Sequence, residues 1–337
     1  MNTKLATMIT AAVLAGAPFA ASAQEAQELK LSLVSPPTSP TWTQGWQKWV
    51  ERIEKDADGT VKIKPYFSGQ LANFNNVYDR LNSGIFEIGT GLQSFIGGQF
   101  PGTSVADLPF IAETGRDAAA ALWALYEQGL LAKEYARVKP LVLLVYPQVA
   151  LHFKKSVTRL EDLDGMKVSV SGKVSSEIMQ KLGTAPIAIG PQEVYETMNR
   201  GVVSGAAMQW TGMLQFKIFE VANFHLDAPL GSDAGFMFMS PSAYAKLPAK
   251  GKAAFDKASG YKESRDYGAA LDGIANFQYQ SVEKMPNHNF ARLSPAETER
   301  WKKLVAPVVE GWVARTENGA KILETYKAEV AKSAAMK

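Results

Sequence analysis

Short apolar blocks alternate with amphipathic segments along the chain, and this pattern predicts strands separated by helices. It is clearest in the middle of the chain, where 166–170, 186–189 and 205–210 are predicted strands. The helices between them are predicted to end at Gly183 and Gly201, because glycine adopts the left-handed C-cap conformation without steric cost. This stretch predicts a small α/β unit whose strand ends meet at a cleft, the usual place for a ligand in such folds.

The same pattern continues on both sides of this unit. Further predicted strands are 29–34, 61–66, 86–88, 141–146 and 236–239, and further predicted helices are 42–56, 76–82, 114–139, 295–315 and 319–335. The segment GTGLQS, 89–94, is predicted to be a turn, and Ser175 or Ser176 is predicted to cap the helix that follows 166–170. Regular alternation of strands and helices predicts an α/β fold with open parallel sheets.

The order of the predicted elements indicates two lobes. We expect the chain to cross from one lobe to the other near 146–150 and to return near 232–239. The predicted division is lobe I over 24–147 plus about 234–285, lobe II over 148–233, and C-terminal helices over about 286–337 that pack across the lobes. More than one crossing indicates a hinge, which permits closure around a ligand.

The N-terminus has the three parts of a secretory signal peptide. Lys4 supplies the basic region, 5–20 the apolar stretch, and Ala21-Ser22-Ala23 a small-residue cleavage site. We therefore expect 1–23 to be removed after Ala23 and the protein to be exported through the inner membrane to the periplasm. A buried helix is the alternative interpretation of the same segment.

Composition excludes several classes of function. The sequence has no cysteine, so thiol catalysis and cysteine-bound zinc are excluded. A net charge of +3 gives no basic surface of the size that nucleic acid requires. His152, His225 and His288 are far apart and lack metal-ligand spacing, so we interpret them as structural or surface residues. We expect no cofactor, no metal and no enzymatic activity.

Several motifs, in the right order, resemble one family. They are Asp164-Gly165-Met166-Lys167, Leu182-Gly183, Pro186, Glu193-Val194-Tyr195 and Gly201-Val202-Val203 with Gly205, together with SGQL at 68–71, DLPF at 107–110 and KLP at 246–248. With these motifs the chain resembles the solute-binding proteins of tripartite ATP-independent periplasmic (TRAP) transporters. The resemblance implies a two-lobed periplasmic binding protein of type II-like fold, which delivers a small-molecule solute to integral membrane transporter subunits. We expect a monomer.

One departure from the family concerns the ligand. In most of the family an Arg stands two residues after the Lys of the Gly-x-Lys strand and clamps the ligand carboxylate, whereas this chain has Ser169 there. A guanidinium binds a carboxylate through two parallel hydrogen bonds, and a hydroxyl cannot. The leading hypothesis is a non-carboxylate solute, such as a small amine or amino alcohol. The alternative is an organic acid paired with Lys173 or another cation.

The candidate site residues are those predicted at strand ends and lobe crossings. The aromatic and apolar candidates are Trp42, Phe67, Tyr146, Met208, Trp210 and Phe236; the acidic candidates are Glu87, Asp233 and, less persuasively, Asp107; the polar candidates are Gln93, Gln148, Ser169, Ser171 and Gln209. Aromatic faces suit an ammonium group or an apolar ligand surface. A ligand-sensing module and a secreted enzyme on a similar fold stay as alternatives, although no clustered acid–base pair favours the enzyme.

Overall fold

The structure is a computed structural model and describes residues 25–336. Its strands are β1 Gln27–Ser32, β2 Val61–Tyr66, β3 Ile88–Leu92, β4 Lys139–Val145, β5 Val149–Phe153, β6 Lys167–Val170, β7 Ala185–Ala188, β8 Gly205–Gln209, β9 Phe224–Asp227, β10 Ala234–Met239 and β11 Asn289–Arg292. Its α-helices are α1 Gln47–Asp56, α2 Val77–Asn82, α3 Gly115–Glu127, α4 Lys173–Lys181, α5 Pro191–Asn199, α6 Pro241–Lys246, α7 Ala249–Lys257, α8 Tyr261–Glu283, α9 Pro295–Arg315 and α10 Gly319–Ala335. A π-helical segment, Thr41–Trp46, leads into α1.

The first sheet has five strands in the order β2-β1-β3-β10-β4. β1 pairs in parallel with β2 and β3, whereas β10 runs antiparallel to β3 and β4. One face packs against apolar residues of α1, α7 and α8, and the other against residues of α2 and α3. Because both faces are covered, β4 and β10 consist almost entirely of buried residues.

The second sheet has six strands in the order β11-β9-β5-β8-β6-β7. β6 pairs in parallel with β7 and β8, and β9 pairs in parallel with β11. β5 runs antiparallel to both β8 and β9. α4 and α5 follow β6 and β7, and α5 begins at Pro191, whose fixed φ suits the first helical turn.

Two short segments connect the sheets, one between β4 and β5 and one between β9 and β10. The C-terminal helices contact structure beside both sheets, since α9 packs on α4 and α10 packs on α3. Arg315 of α9 pairs with Glu177 of α4 at 2.8 Å, and the Ser333 hydroxyl of α10 donates to Asp117 of α3 at 2.7 Å. This arrangement gives the two-lobed α/β fold, while the lobe boundaries given above stay a prediction.

The predicted helices differ from the structure at two places. α3 ends at Glu127 and not at 139, because the chain turns at Gly129 with a φ of +75°. The helix after β6 begins at Lys173 with Gly172 as its N-cap, so neither Ser175 nor Ser176 caps it. The predictions 295–315 and 319–335, by contrast, match α9 and α10.

The prediction of parallel sheets is wrong, because β5 and β10 make both sheets mixed. The prediction of a turn at 89–94 is also wrong, since 89–92 belong to β3. Glycine is needed within this strand, because a Cβ on Gly91 would lie 2.7 Å from the ring of Phe236. The short strands β5, β9 and β11 were not predicted.

The predicted signal peptide, 1–23, lies outside the described residues. Across 25–336, none of the helices combines the length and the apolar composition needed to cross a bilayer.

Candidate functional site

A cleft lies between the two sheets and holds about 690 Å³ of empty space, part of it open to solvent. Its walls come from the segment after β1, from β3 and β10, from the end of β4, and from the end of β8 with the turn that follows. The lining residues are Val34, Ser35, Thr41, Trp46, Phe74, Thr90, Gly91, Leu92, Leu144, Tyr146, Pro191, Met208, Gln209, Thr211, Gly212, Gln215, Phe216 and Phe236. Several of these follow the carboxyl ends of strands, where ligands bind in open α/β sheets.

Aromatic rings and uncharged polar groups make up much of the cleft wall. The rings are Trp46, Phe74, Tyr146, Phe216 and Phe236, and the polar side chains are Ser35, Thr41, Thr90, Gln209, Thr211 and Gln215. Among the residues that the structure describes, no Lys, Arg, His, Asp or Glu belongs to this lining. Such a wall offers apolar ring faces and hydrogen bonds, but no side-chain charge to pair with an ionised ligand.

A buried carboxylate stands directly behind the cleft. Asp233 is only 3% exposed; its Oδ1 accepts from the Ser171 hydroxyl at 2.7 Å and its Oδ2 accepts from Nε2 of Gln209 at 2.6 Å. These bonds connect the segment between β9 and β10 with the ends of β6 and β8. Asp233 therefore supports Gln209, which lines the cleft, although it does not belong to the lining itself.

A second buried carboxyl lies close to the first. Burial raises the pKa of Asp107 well above its ordinary value, and the charge of Asp233 raises it further. Burial also raises the pKa of Asp233, but the donated hydrogen bonds from Ser171 and Gln209 oppose this rise. Of the two buried acids, Asp107 is therefore the one whose protonated form is favoured more strongly.

Among the described residues, Tyr146 is the side chain of the cleft lining that can ionise. Burial raises the pKa of its phenol, and the nearby charge of Asp233 raises it further. The phenol is therefore uncharged at neutral pH, where it either donates or accepts a hydrogen bond.

The structure brings four of the predicted site residues to the cleft: Tyr146, Met208, Gln209 and Phe236. The residues that sequence reasoning missed include Trp46, Phe74 and Phe216. The sequence could have suggested Phe216 as a site residue, because Phe216 lies in the segment after a predicted strand end and that segment forms part of the same cleft edge.

Other predicted residues lie outside the lining. Trp42 and Phe67 pack edge to face with ring centroids 4.9 Å apart, at the border of the first-sheet core. Glu87 accepts the backbone N–H of Lys30 at 2.8 Å, just before β3 and thus at the opposite end of that strand from the cleft. Gln93 donates to the Tyr135 hydroxyl at 2.8 Å. Their roles as ligand contacts stay predictions.

The remaining candidates support the hinge segments or the second sheet. Gln148 accepts from the backbone N–H of Gly231 at 3.1 Å, and Trp210 donates from its indole to Asp227 at 3.0 Å. Ser169 is buried within β6, and Ser171 donates to Asp233. None of these four side chains lines the cleft. Their predicted contact with the ligand likewise stays a prediction.

Lys173, the proposed replacement for the missing Arg, lies at a different cavity. That cavity is lined by Lys173 and Arg315 together with Asp107, Gln93 and Trp312, among others. Arg315 already pairs with Glu177. Lys173 does not belong to the lining of the cleft between the sheets, and its role as the partner of a ligand carboxylate stays a prediction.

The three histidines, far apart in sequence, form one hydrogen-bonded row. Nδ1 of His152 lies 2.9 Å from Nδ1 of His225, and Nε2 of His225 lies 2.9 Å from Nδ1 of His288. Nε2 of His152 donates to the carbonyl of Met208 at 3.1 Å. If all three rings are neutral, this last bond fixes every tautomer in the row, with Nδ1–H of His225 and of His288 each donating toward the core. Sequence spacing gave no indication of this contact.

Two α/β units with a cleft between them, joined by more than one crossing of the chain, define a two-lobed solute-binding protein. The chain belongs to the bacterial extracellular solute-binding proteins of family 7, whose family model matches residues 32–316. This finding confirms the resemblance to the TRAP solute-binding proteins and the transport role that goes with it.

Two curated relatives match over nearly the whole chain. The outer membrane transporter protein TsaT of Comamonas testosteroni is 26% identical over 96% of this chain and 97% of its own. The C4-dicarboxylate-binding periplasmic protein DctP of Rhodobacter capsulatus is 25% identical over 90% of this chain and 91% of its own. Both names describe transport or solute binding.

Solved structures share the fold. A TRAP solute-binding protein from Rhodoferax ferrireducens, in complex with copurified benzoate, is 23% identical with a TM-score of 0.87, over 91% of this chain and 98% of that one. A TRAP periplasmic solute-binding protein from Bordetella bronchiseptica, with bound (R)- and (S)-mandelate, is 24% identical with a TM-score of 0.84, over 90% of this chain and 99% of that one.

Proposed function

We propose that this TRAP solute-binding protein captures a small, uncharged solute with an aromatic ring and delivers it to the membrane subunits of its transporter. It acts as a periplasmic monomer after cleavage behind Ala23 and carries out no reaction. The observation that supports this solute class is the lining of the cleft, with five aromatic rings and, over the described residues, no charged side chain.

The uncharged lining disfavours an ion of either sign. A carboxylate or an ammonium loses its hydration when it is buried, and without a charged partner this loss is not offset. The small amine suggested by Ser169 would need an acidic partner. Asp233, the buried acid that is hydrogen-bonded to the cleft-lining Gln209, already accepts from Ser171 as well. The ring faces, by contrast, suit an aromatic solute.

An aromatic acid is the second candidate, because the structures with the same fold from R. ferrireducens and B. bronchiseptica contain benzoate and mandelate. In this chain its carboxylate would have to bind uncharged donors, such as the hydroxyl of Thr211 and the phenol of Tyr146. Such bonds are weaker than a bidentate guanidinium pair.

The test is a calorimetric titration of the mature protein with three solutes of similar size: benzyl alcohol, benzoate and benzylamine. We expect the alcohol to bind at least about tenfold more tightly than either ion, a difference of about 1.4 kcal/mol. Tighter binding of benzoate would establish the aromatic acid, and tighter binding of benzylamine would establish the amine. Binding of none of the three would overturn the aromatic solute class.

A pair of neighbouring phenylalanines provides the matched variants. Phe216 lines the cleft, whereas Phe219 is also half-buried, packs against the same apolar cluster and lies outside the lining. Phe216→Ala should weaken the best solute by about tenfold through the lost ring contact, and Phe219→Ala should leave its affinity unchanged. Equal effects of the two variants would place the solute elsewhere.

A further inference from the structure

We propose that Gln278, a side chain of α8 that lies outside the cleft lining, is a positioning residue for the solute, because it fixes a turn that forms part of the cleft wall. This turn, 211–216, is called the cleft turn below and contains four lining residues: Thr211, Gly212, Gln215 and Phe216. The inference rests on the proposed function, since it concerns the affinity for a solute bound in the same cleft.

Two hydrogen bonds join Gln278 to the backbone of the cleft turn. Its Oε1 accepts from the backbone N–H of Leu214 at 2.8 Å, and its Nε2 donates to the backbone carbonyl of Thr211 at 2.8 Å. These two peptide groups lie three residues apart, the spacing at which a tight turn is commonly closed by a direct bond between carbonyl and N–H. Here the side-chain amide of Gln278 bridges the two groups and connects the turn to α8.

Burial makes this bridge costly to break. Gln278 has no exposed surface, and Thr211 is only 5% exposed. A donor or acceptor that loses its partner at such a depth is left unsatisfied, because water does not replace the bond readily. The amide therefore favours one arrangement of the cleft turn relative to α8.

The helix that carries Gln278 is itself firmly supported. Leu271 and Ile274 of α8 belong to an apolar cluster beside the first sheet, whereas Ala275 and Val282 belong to a cluster with Met208 of the second sheet. α8 is thus anchored on both sheets. The cleft turn is held by a helix whose position does not depend on the cleft lining.

The consequence for binding follows from the place of the lining residues. Gln215 and Phe216 come directly after Leu214, whose N–H is one of the two bridged groups. A wall that is already ordered spares the solute the cost of ordering it on binding, and this raises the affinity. Gln278 therefore contributes to the affinity without touching the solute.

The variant Gln278→Glu separates positioning from a merely structural role through its pH profile. A protonated carboxyl accepts through one oxygen and donates through the other, so it reproduces both bonds, whereas an ionised carboxylate only accepts and repels the Thr211 carbonyl. Burial raises the pKa of such a carboxyl. Calorimetry with benzyl alcohol, which is uncharged, should give an affinity within about twofold of wild type at about pH 5.5 and at least about fivefold weaker than wild type at about pH 9.

The comparison with wild type at each pH removes the titration of other groups. The cleft turn has no charged side chain, and both proteins retain Asp107, Asp233, Tyr146 and the histidine row. Circular dichroism at both pH values shows whether the variant is folded. A ratio of affinities that does not change with pH would overturn the inference.

Two further variants complete the test. Gln280→Glu makes the same change at an exposed position of α8, where the side chain donates only to Asn276, at 3.4 Å. It should bind benzyl alcohol as wild type does at both pH values, and a similar loss at high pH would assign the effect to the added charge and overturn the inference. Gln278→Met removes both bonds and should weaken binding at least about fivefold at either pH; wild-type affinity in this variant would also overturn it.

A measurement without any solute keeps the inference testable if a variant does not fold or no ring compound binds. In wild-type protein the backbone amide of Leu214 should exchange with solvent at least about tenfold more slowly than that of Gln215, whose N–H has no hydrogen-bond partner among the described residues. Equal rates would overturn the bridge and the inference with it. Slow exchange at Leu214 without binding of benzyl alcohol, benzoate or benzylamine would retain the bridge and refute the proposed function.

Discussion

At the scale of single residues, the histidine row is held together by three neutral rings. His152 and His225 are at most 1% exposed, and they pack around the indole of Trp210. Burial lowers the pKa of His152 to about 4. Burial also lowers the pKa of His225 to about 2, with smaller contributions from the other two rings. Uptake of a proton would place an unpaired charge in this core and break the pattern of donors and acceptors.

The row predicts a specific loss of stability in acid. An unfolded histidine has a pKa of about 6.5, so below that pH the unfolded chain binds protons that the folded His152 and His225 do not bind. Stability is therefore full above about pH 6.5 and is lost as the pH falls toward 4, by up to roughly 1.4 kcal/mol per pH unit for each histidine. Urea unfolding between pH 7 and pH 4 measures this slope.

His152→Gln supplies the comparison for that experiment. Asp107 and Asp233 have raised pKa values and act in the opposite direction, but they are present in both proteins and cancel. The free energy of unfolding of the variant should therefore depend less steeply on pH than that of the wild type. Parallel curves for the two proteins would show that the row does not stay neutral.

Residue-scale prediction from sequence matches the cleft lining where a strand end alone decided the position, while contact with the solute stays a prediction. Tyr146, Met208 and Phe236 reach the cleft because their strands end or begin there. Trp210 follows the same strand as Met208, yet its ring turns into the core beside His152 and Phe290. Which way such a side chain turns depends on tertiary packing, and sequence periodicity does not contain that information.

At the scale of helices and strands, strong local patterns were sufficient and weak ones were not. α9 begins with Ser294, whose hydroxyl accepts from the backbone N–H of Glu297, and with Pro295 in its first turn, so its start was predictable. β9 and β11 have only four residues each and pair with each other across a long sequence separation. Short strands of this kind are stabilised by their partners and not by their own sequence.

The contact between α3 and α8 gives the prediction at this scale. A Cβ on Gly268 of α8 would lie 2.5 Å from the carbonyl oxygen of Gly115, a backbone atom that cannot move cheaply, whereas a Cβ on Gly273 of the same helix meets nothing within 4 Å. Gly268→Ala should lower the free energy of unfolding by about 1–3 kcal/mol through overpacking.

Gly273→Ala is the control in the same helix. It should raise the free energy of unfolding by about 0.5–1 kcal/mol, because alanine favours the helix and the space is open. Urea unfolding measures both variants. The account of tight packing between α3 and α8 would be contradicted if Gly268→Ala were as stable as Gly273→Ala.

At the scale of the whole molecule, the two lobes meet closely around the cleft. A Cβ on Gly172, at the start of α4, would lie 2.9 Å from Cβ of Ser94 in the turn just after β3. Asp233 adds hydrogen bonds from the crossing segment to the ends of β6 and β8. The two-lobed fold was predictable from the order of strands and helices, but the uncharged lining was not, because it draws on residues distant in sequence such as Trp46, Thr90 and Phe216.

The account as a whole is tested most directly by a crystal structure of the mature protein with the ring compound that binds most tightly. We expect the ring to lie in the cleft between the two sheets, in contact with Tyr146, Phe216 and Phe236, with no charged side chain touching it. The account would be contradicted by a solute bound in the second cavity, beside Lys173 and Arg315.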